Sequence, residues 1–520
     1  MTITQESGGR NRRGKSAWRA GAGALLCAAV LVTALGGCSS GMKSMEGGKN
    51  NGYAGGKPFY DIDGPAEGTQ GEGYLTIEEN PEVNAGEEST VTFSLKVDTA
   101  AYSNVARYIN TGSLPPKNAV RTEEMLNYFR YETALDFGDD PFSVYTEIGP
   151  SPFHSGKHVA FVRVKTPEVD QSALPPCNLT FLIDTSGSMN SHDKLPLLKT
   201  AFGLLVETLD EDDRVSIVTY AGSSNVVLDS VSGDRKTDIL DAIYNLEASG
   251  STAGADGIQT AYALAQKNFR ENGNNRVILA TDGDFNVGLS STKALGEFIS
   301  EKRDGGVYLS ILGFGTGNLQ DGIMETLSKD GNGNYSYIDT VQTAKKVLVE
   351  ELGGNMFTVA DDVKAQVVFN PELVSNYRLI GYENRMLQNE DFEDDRKDAG
   401  EIGAGTDVVA LFEIGLTEAG LKAEGSPFEV RIRYKDPGQS ESKLFTKNTL
   451  DAGPGGEAST DFGFACSVAA FGHLLRGSDY TGEATVNTVL TLAEDNLGHD
   501  PGGYRQEYLT LLREYQKLAG

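Results

Sequence analysis

Between about residues 175 and 354, short apolar runs alternate with stretches whose apolar positions recur at helical spacing. The runs at 179–184, 214–220, 276–281 and 307–313 are rich in Leu, Val, Ile and Phe. The segments at 194–209, 235–247, 255–270 and 291–303 carry the 3.6-residue period. Strand and helix in turn predict a largely parallel sheet with helices on both faces. The scarcity of polar alternation within the runs fits strands covered on both sides. Outside this region the pattern changes. Short strand signals at 91–95 and 159–164 bracket a helical piece at 121–129, and strand signals return at 365–369, 408–412 and 428–432 after the helix stop Gly353-Gly354. Near the C-terminus Tyr504, Tyr508, Leu511, Leu512, Tyr515 and Leu518 lie at helix spacing. The expected fold class is α/β: a doubly wound, mostly parallel, Rossmann-like sheet, flanked by a β-rich domain built from both sides and followed by a C-terminal helical segment.

Composition divides the N-terminus from the rest. Arg10, Arg12, Arg13, Lys15 and Arg19 precede an apolar stretch of about 16 residues, short for a membrane span, which ends in Leu35-Gly36-Gly37-Cys38. This is the layout of a bacterial lipoprotein signal peptide, with Cys38 as the lipidated residue. The expected location is the bacterial cell envelope, outside the cytoplasm and held to a membrane by lipid. From 38 to 89 the chain is rich in Gly, Asn and Glu with no period, which reads as a flexible tether. About 50 such residues span on the order of 40 Å. The expected organisation is therefore a leader (1–37), the tether (38–89), an N-terminal β-rich flanking domain (90–172), the α/β domain (173–356), a β-rich domain (357–450) and a helical segment (451–520).

Net charge is −29, and residues 1–37 carry five basic and one acidic residue, so the remainder is near −33. Such a surface repels nucleic acid and anionic lipid headgroups and leaves metal ions, basic surfaces or neutral partners. Residues 9–16 match the phosphate-loop pattern letter for letter, but no strand precedes them and they fall in the leader, so no nucleotide is expected. Cys177 and Cys466 remain after the leader and Cys38 are set aside. An oxidising compartment permits a bridge between them, and two buried free thiols are the alternative.

Candidate chemistry gathers at the ends of the central runs. The run 178–183 ends in Asp184-Thr185-Ser186-Gly187-Ser188, which places one carboxylate and two hydroxyls two residues apart where ligands of open α/β sheets sit. Gly250-Ser251-Thr252 precedes a helix and offers the Thr252 hydroxyl, and the run 277–281 ends in Asp282. An all-oxygen set favours a hard cation, Mg2+ before Zn2+, with Mn2+ and Ca2+ as further hard candidates. These three segments, in this order, resemble the von Willebrand factor A (VWA) domain and its metal-ion-dependent adhesion site, Asp-x-Ser-x-Ser followed by a distant Thr and a distant Asp. The resemblance implies that Asp184, Ser186, Ser188, Thr252 and Asp282 hold the metal. It also implies that an acidic side chain of a protein partner fills the open coordination position. The stretches 93–100, 114–116 and 121–129, with 377–385 and 398–405, further resemble YfbK-like bacterial proteins over nearly all of 90–520.

The expected function is thus Mg2+-dependent binding of a protein partner, without catalysis. The alternatives are a scaffold that works through the flanking domains and a metal-dependent hydrolase. His192 is the histidine near the site in sequence, and a surface or capping role suits it better than that of a base. Residues 313–318 read as a tight strand-to-helix turn, since the glycine spacing of a dinucleotide fingerprint is incomplete. Residues 330–334 begin like a calcium loop, but Tyr335 stands at the required Gly and Val341 at the required acid, which leaves a turn. Asp256, near the start of a helix, is placed either to approach the metal or to favour the helix N-terminus.

Overall fold

The structure is a computed structural model and describes residues 71–519 except 97, 139, 170–174, 251–253, 284–291 and 423–424. The leader, Cys38, most of the tether and Thr252 therefore lie outside the described residues.

The central sheet has six strands in the spatial order Tyr335–Ile338, Tyr308–Phe314, Asn274–Thr281, Cys177–Asp184, Arg214–Tyr220 and Ser224–Ser232. All pairs are parallel except the last, where Ser224–Ser232 runs back antiparallel along the edge. Strand Cys177–Asp184 is buried at every position because helices cover both faces. Leu179, Phe181 and Ile183 pack with Leu198, Phe202 and Leu205 of helix Leu195–Thr208 on one face. Leu182 packs with Ile258, Ala261 and Tyr262 of helix Gly254–Lys267 on the other. Chain order reverses at this strand, since the next strand is added on one side and Asn274–Thr281 on the other. A crevice therefore opens beyond its carboxyl end. The edge strand escapes the sequence pattern because it is not covered: its positions are all half-buried or exposed and carry Ser, Asn and Asp among the valines.

The flanking strands form two antiparallel sheets, each assembled from both sides of the α/β domain. One orders Val83–Asn84, Val374–Ile380, Asp407–Leu416, His158–Lys165 and Ser143–Pro150. The other orders Met386–Leu387, Thr90–Ser94, Thr358–Phe369, Phe428–Lys435 and Ser442–Lys447, with Ile402–Gly403 paired to Thr358–Phe369. Phe93, Val367 and Phe369 of the second sheet meet Ala160, Val162, Ala410 and Phe412 of the first in one core. Val159, Phe161, Val409 and Leu411 point the opposite way, onto helices that include Thr460–Arg476 and Tyr504–Ala519, where Phe464, Phe471 and Tyr508 close a second core. Period-two alternation on these strands thus separates two apolar cores rather than core from water.

One expectation is corrected. Residues 71–89, assigned to the tether, belong to the fold: Val83–Asn84 pairs with strand Val374–Ile380, and Tyr74 is buried. The stretch reads as tether because it is tied down by scattered contacts to distant segments, Glu72 to Arg107 and Val83–Asn84 to strand Val374–Ile380, which leave no local apolar period. Cys177 and Cys466 are both free and buried, and burial pushes the Cys177 thiol up to about 12.

Candidate metal centre

Asp184 is the last residue of its strand, and Asp282 follows the last residue of the adjacent parallel strand Asn274–Thr281. Both carboxylates are fully buried at the mouth of the crevice. The chain turns sharply after Asp184, and the Ser186 N–H donates to Asp184 Oδ1 at 2.8 Å. That turn brings Ser186 Oγ within 2.9 Å of Ser188 Oγ, with Ser188 exposed on the solvent side. The Thr281 hydroxyl donates to Asp184 Oδ2 at 3.3 Å. Gly187 N–H donates to the Gly250 carbonyl at 3.1 Å, so the segment leading to Thr252 starts against this loop. Thr252 itself is outside the described residues.

Four of the five residues singled out from sequence, Asp184, Ser186, Ser188 and Asp282, therefore meet on one rim. Burial, with the nearby Asp282 charge adding to it, pushes the Asp184 carboxyl up to about 6 against the hydrogen bonds from Ser186 and Thr281. Among the described residues no basic side chain pairs with it. The donor set fits a hard dication: two buried carboxylates and two hydroxyls, all oxygen, with one carboxylate lacking a counter-charge. Asp184, Ser186, Ser188 and Asp282 would hold such an ion. His192 is exposed. Asp256 is exposed as well, and its backbone carbonyl accepts the Thr260 hydroxyl.

Three further residues, none legible in the sequence, shape the rim. Lys194 Nζ donates to Asp282 Oδ2 at 2.8 Å, and Asn318 Nδ2 to Asp282 Oδ1 at 3.3 Å. Glu72 lies on the far side of the loop that carries Asn318. It accepts the Gly317 N–H at 2.9 Å, two bonds from the Arg107 guanidinium at 2.8 and 2.9 Å, and the Tyr108 and Tyr74 hydroxyls at 2.6 and 2.7 Å. Gly73 N–H donates to the Leu319 carbonyl, and Gly322 N–H to the Gly73 carbonyl, so residues 71–74 form a strap along the loop. Burial by itself would raise the Glu72 carboxyl, but Arg107, Tyr108 and Gly317 outweigh it and pull it down to about 2.

Residues 178–350 match the model of the von Willebrand factor type A domain, 68–160 a model described as von Willebrand factor, and 354–518 the C-terminal model of YfbK, described as uncharacterized. The chain is 41% identical over 465 residues to the uncharacterized protein YfbK of Escherichia coli strain K12, an alignment covering 84% of this chain and 80% of that one. The chain belongs to the YfbK family. Human inter-alpha-trypsin inhibitor heavy chain H3 is 28% identical over 166 residues, 30% of this chain and 18% of that protein. A solved von Willebrand factor type A protein from Catenulispora acidiphila aligns over 74% of this chain and 91% of its own, at 14% identity and a TM-score of 0.40. In this YfbK-family chain the matched regions 178–350 and 354–518 meet where helical residues Val341–Lys345, a π-helical turn Lys346–Glu350 and Leu352–Met356 lead into strand Thr358–Phe369.

Proposed function

We propose that this YfbK-family chain is a lipoprotein of the bacterial cell envelope, anchored through lipid on Cys38, whose VWA domain binds a protein partner through Mg2+. Asp184, Ser186, Ser188, Thr252 and Asp282 hold the ion, and an acidic side chain of the partner completes its coordination. The same oxygen set takes Mn2+ or Ca2+ in place of Mg2+. The observation that carries this reading is the pair of fully buried carboxylates at adjacent strand ends, one with no cationic partner among the described residues, beneath hydroxyls that open to solvent at Ser188. Two carboxylates balance the dication, and a third from the partner binds it in a partly desolvated contact, which makes this a binding device rather than a hydrolytic one.

The test is a crosslinking pull-down from envelope extract that compares the intact chain with Asp184→Ala, each in Mg2+ and in EDTA. Partner recovery is expected from the intact chain in Mg2+ alone. Thr252→Ala, which removes one hydroxyl and no charge, is expected to bind less well than the parent but better than Asp184→Ala. Equal recovery by parent and Asp184→Ala would move the contact surface to the flanking sheets and helices. Metal-dependent turnover of a substrate would replace binding with hydrolysis.

A further inference from the structure

The rim contains a cation of its own. Lys194 comes from the loop that joins Ser188 to helix Leu195–Thr208, and its ammonium sits 2.8 Å from Asp282 Oδ2. The pair is deeply buried, with side-chain exposures of 8% and 0%. Its position is built. The stem of Lys194 runs across Gly315, where an added Cβ would collide with Lys194 Cγ and Cε. Gly315 has φ +70°, and its carbonyl accepts the Tyr337 hydroxyl at 2.6 Å. A glycine is thus needed at 315 both for its backbone conformation and for the slot it leaves, and Tyr337 fixes that slot from below. A lysine elsewhere on an acidic surface would extend into water. This one is held against a carboxylate that the proposed metal also needs.

Resting on the metal-site reading above, we propose that Lys194 is an internal counter-cation that competes with the divalent ion for Asp282, so that the site loads and unloads reversibly. With the dication absent, the ammonium compensates one of the two buried carboxylates and keeps the rim folded. With the dication present, Asp282 is shared or released, which the flexible four-carbon stem allows. A buried carboxylate stripped of a paired cation is strongly destabilising, so the two cations substitute for each other in the energetics of the empty and filled rim. Lys194 therefore lowers metal affinity and protects the metal-free state. The loaded rim, with two carboxylates, one dication and one ammonium, carries a net positive charge toward the acidic group of a partner.

The test uses the full-length chain and Mn2+ as the probe, with Lys194→Met and Lys194→Gln as two neutral variants of similar length. Titration calorimetry should show both variants binding Mn2+ at least tenfold more tightly than the parent. In EDTA both should unfold at lower denaturant than the parent, and saturating Mn2+ should close most of that gap. The second variant keeps the experiment decisive should the first fail to fold. Metal affinity equal to or weaker than the parent's in the neutral variants would overturn the competition, with the metal site itself left standing. Failure of parent and variants alike to bind Mn2+ or Mg2+ would overturn both the competition and the metal-site reading.

Discussion

Glu72 takes a backbone N–H from the loop at 315–320, and Asp184 lies near Asp282, which takes a bond from the same loop; both are buried carboxylates, yet their surroundings pull in opposite directions. Glu72 faces the Arg107 fork, two phenolic hydroxyls and a backbone N–H, and its carboxyl is drawn down to about 2. Asp184 faces a neighbouring carboxylate and hydrogen bonds from Ser186 and Thr281, with no basic side chain paired to it among the described residues, and its carboxyl is pushed up to about 6. Glu72 is satisfied within the chain and acts as a fastener, locking residues 71–74 to the Gly317 backbone. Asp184 has no cationic partner among the described residues, and perturbed carboxylates of this kind concentrate at working sites. The loop joins the two environments, with Gly317 bonded to Glu72 and Asn318 to Asp282. Residues 71–74 and the rim that carries Asp282 therefore share one structural element.

The contrast is tested most severely at the fastener. Glu72→Gln keeps the shape but leaves Arg107 buried without its carboxylate, and the expected loss is about 3–5 kcal/mol in denaturant unfolding. A loss below about 1 kcal/mol would show that the strap is dispensable. At the rim, Mg2+ at a hundredfold excess over its dissociation constant should stabilise the chain by about 3 kcal/mol. EDTA should reverse that gain without unfolding the domain, because the sheet has its own apolar core, unlike a zinc finger.

The two carboxylates should also respond to pH with opposite signs. Unfolded Asp ionises near 3.8 and folded Asp184 near 6, so over that interval the folded state keeps a proton that the unfolded state has lost. Metal-free stability attributable to Asp184 should fall as pH rises from about 4 to 6, by on the order of 2 kcal/mol, and Asp184→Asn should flatten this slope. Glu72 contributes stability that is complete above about 4.5 and is lost as pH falls toward 2. Paired unfolding curves of Asp184→Asn and Glu72→Gln against pH would resolve the two slopes, and slopes of the same sign would break the comparison. The smallest effect is expected at His192. It is exposed, so His192→Ala should change stability by less than about 0.5 kcal/mol and leave metal affinity unchanged. A large fall in metal affinity would bring the imidazole into the site.

Much of the α/β domain was legible because its strands are covered on both faces. The runs at 179–184, 214–220 and 276–281 correspond to Cys177–Asp184, Arg214–Tyr220 and Asn274–Thr281 within a few residues. Helix Asp321–Asp330 was legible only as the helix that the turn at 313–318 opens, and strand Tyr335–Ile338 was not legible, since it has four residues and follows a Gly-rich turn. That Thr90–Ser94 would pair with Thr358–Phe369 follows from no local pattern, only from the ends of the α/β domain bringing distant segments together. For the rim, sequence alone named Asp184, Ser186, Ser188 and Asp282, because carboxylates and hydroxyls at strand ends leave a local signature wherever the backbone must turn. Tertiary structure alone decided which carboxylate has a partner. Lys194 looks like an ordinary residue at the start of a helix until the glycine at 315 gives its stem a path inward, and Glu72 looks like tether until Arg107 stands opposite it. Hydrophobic period is written along the chain. Charge compensation is set by which side chains meet through space, and no spacing records it.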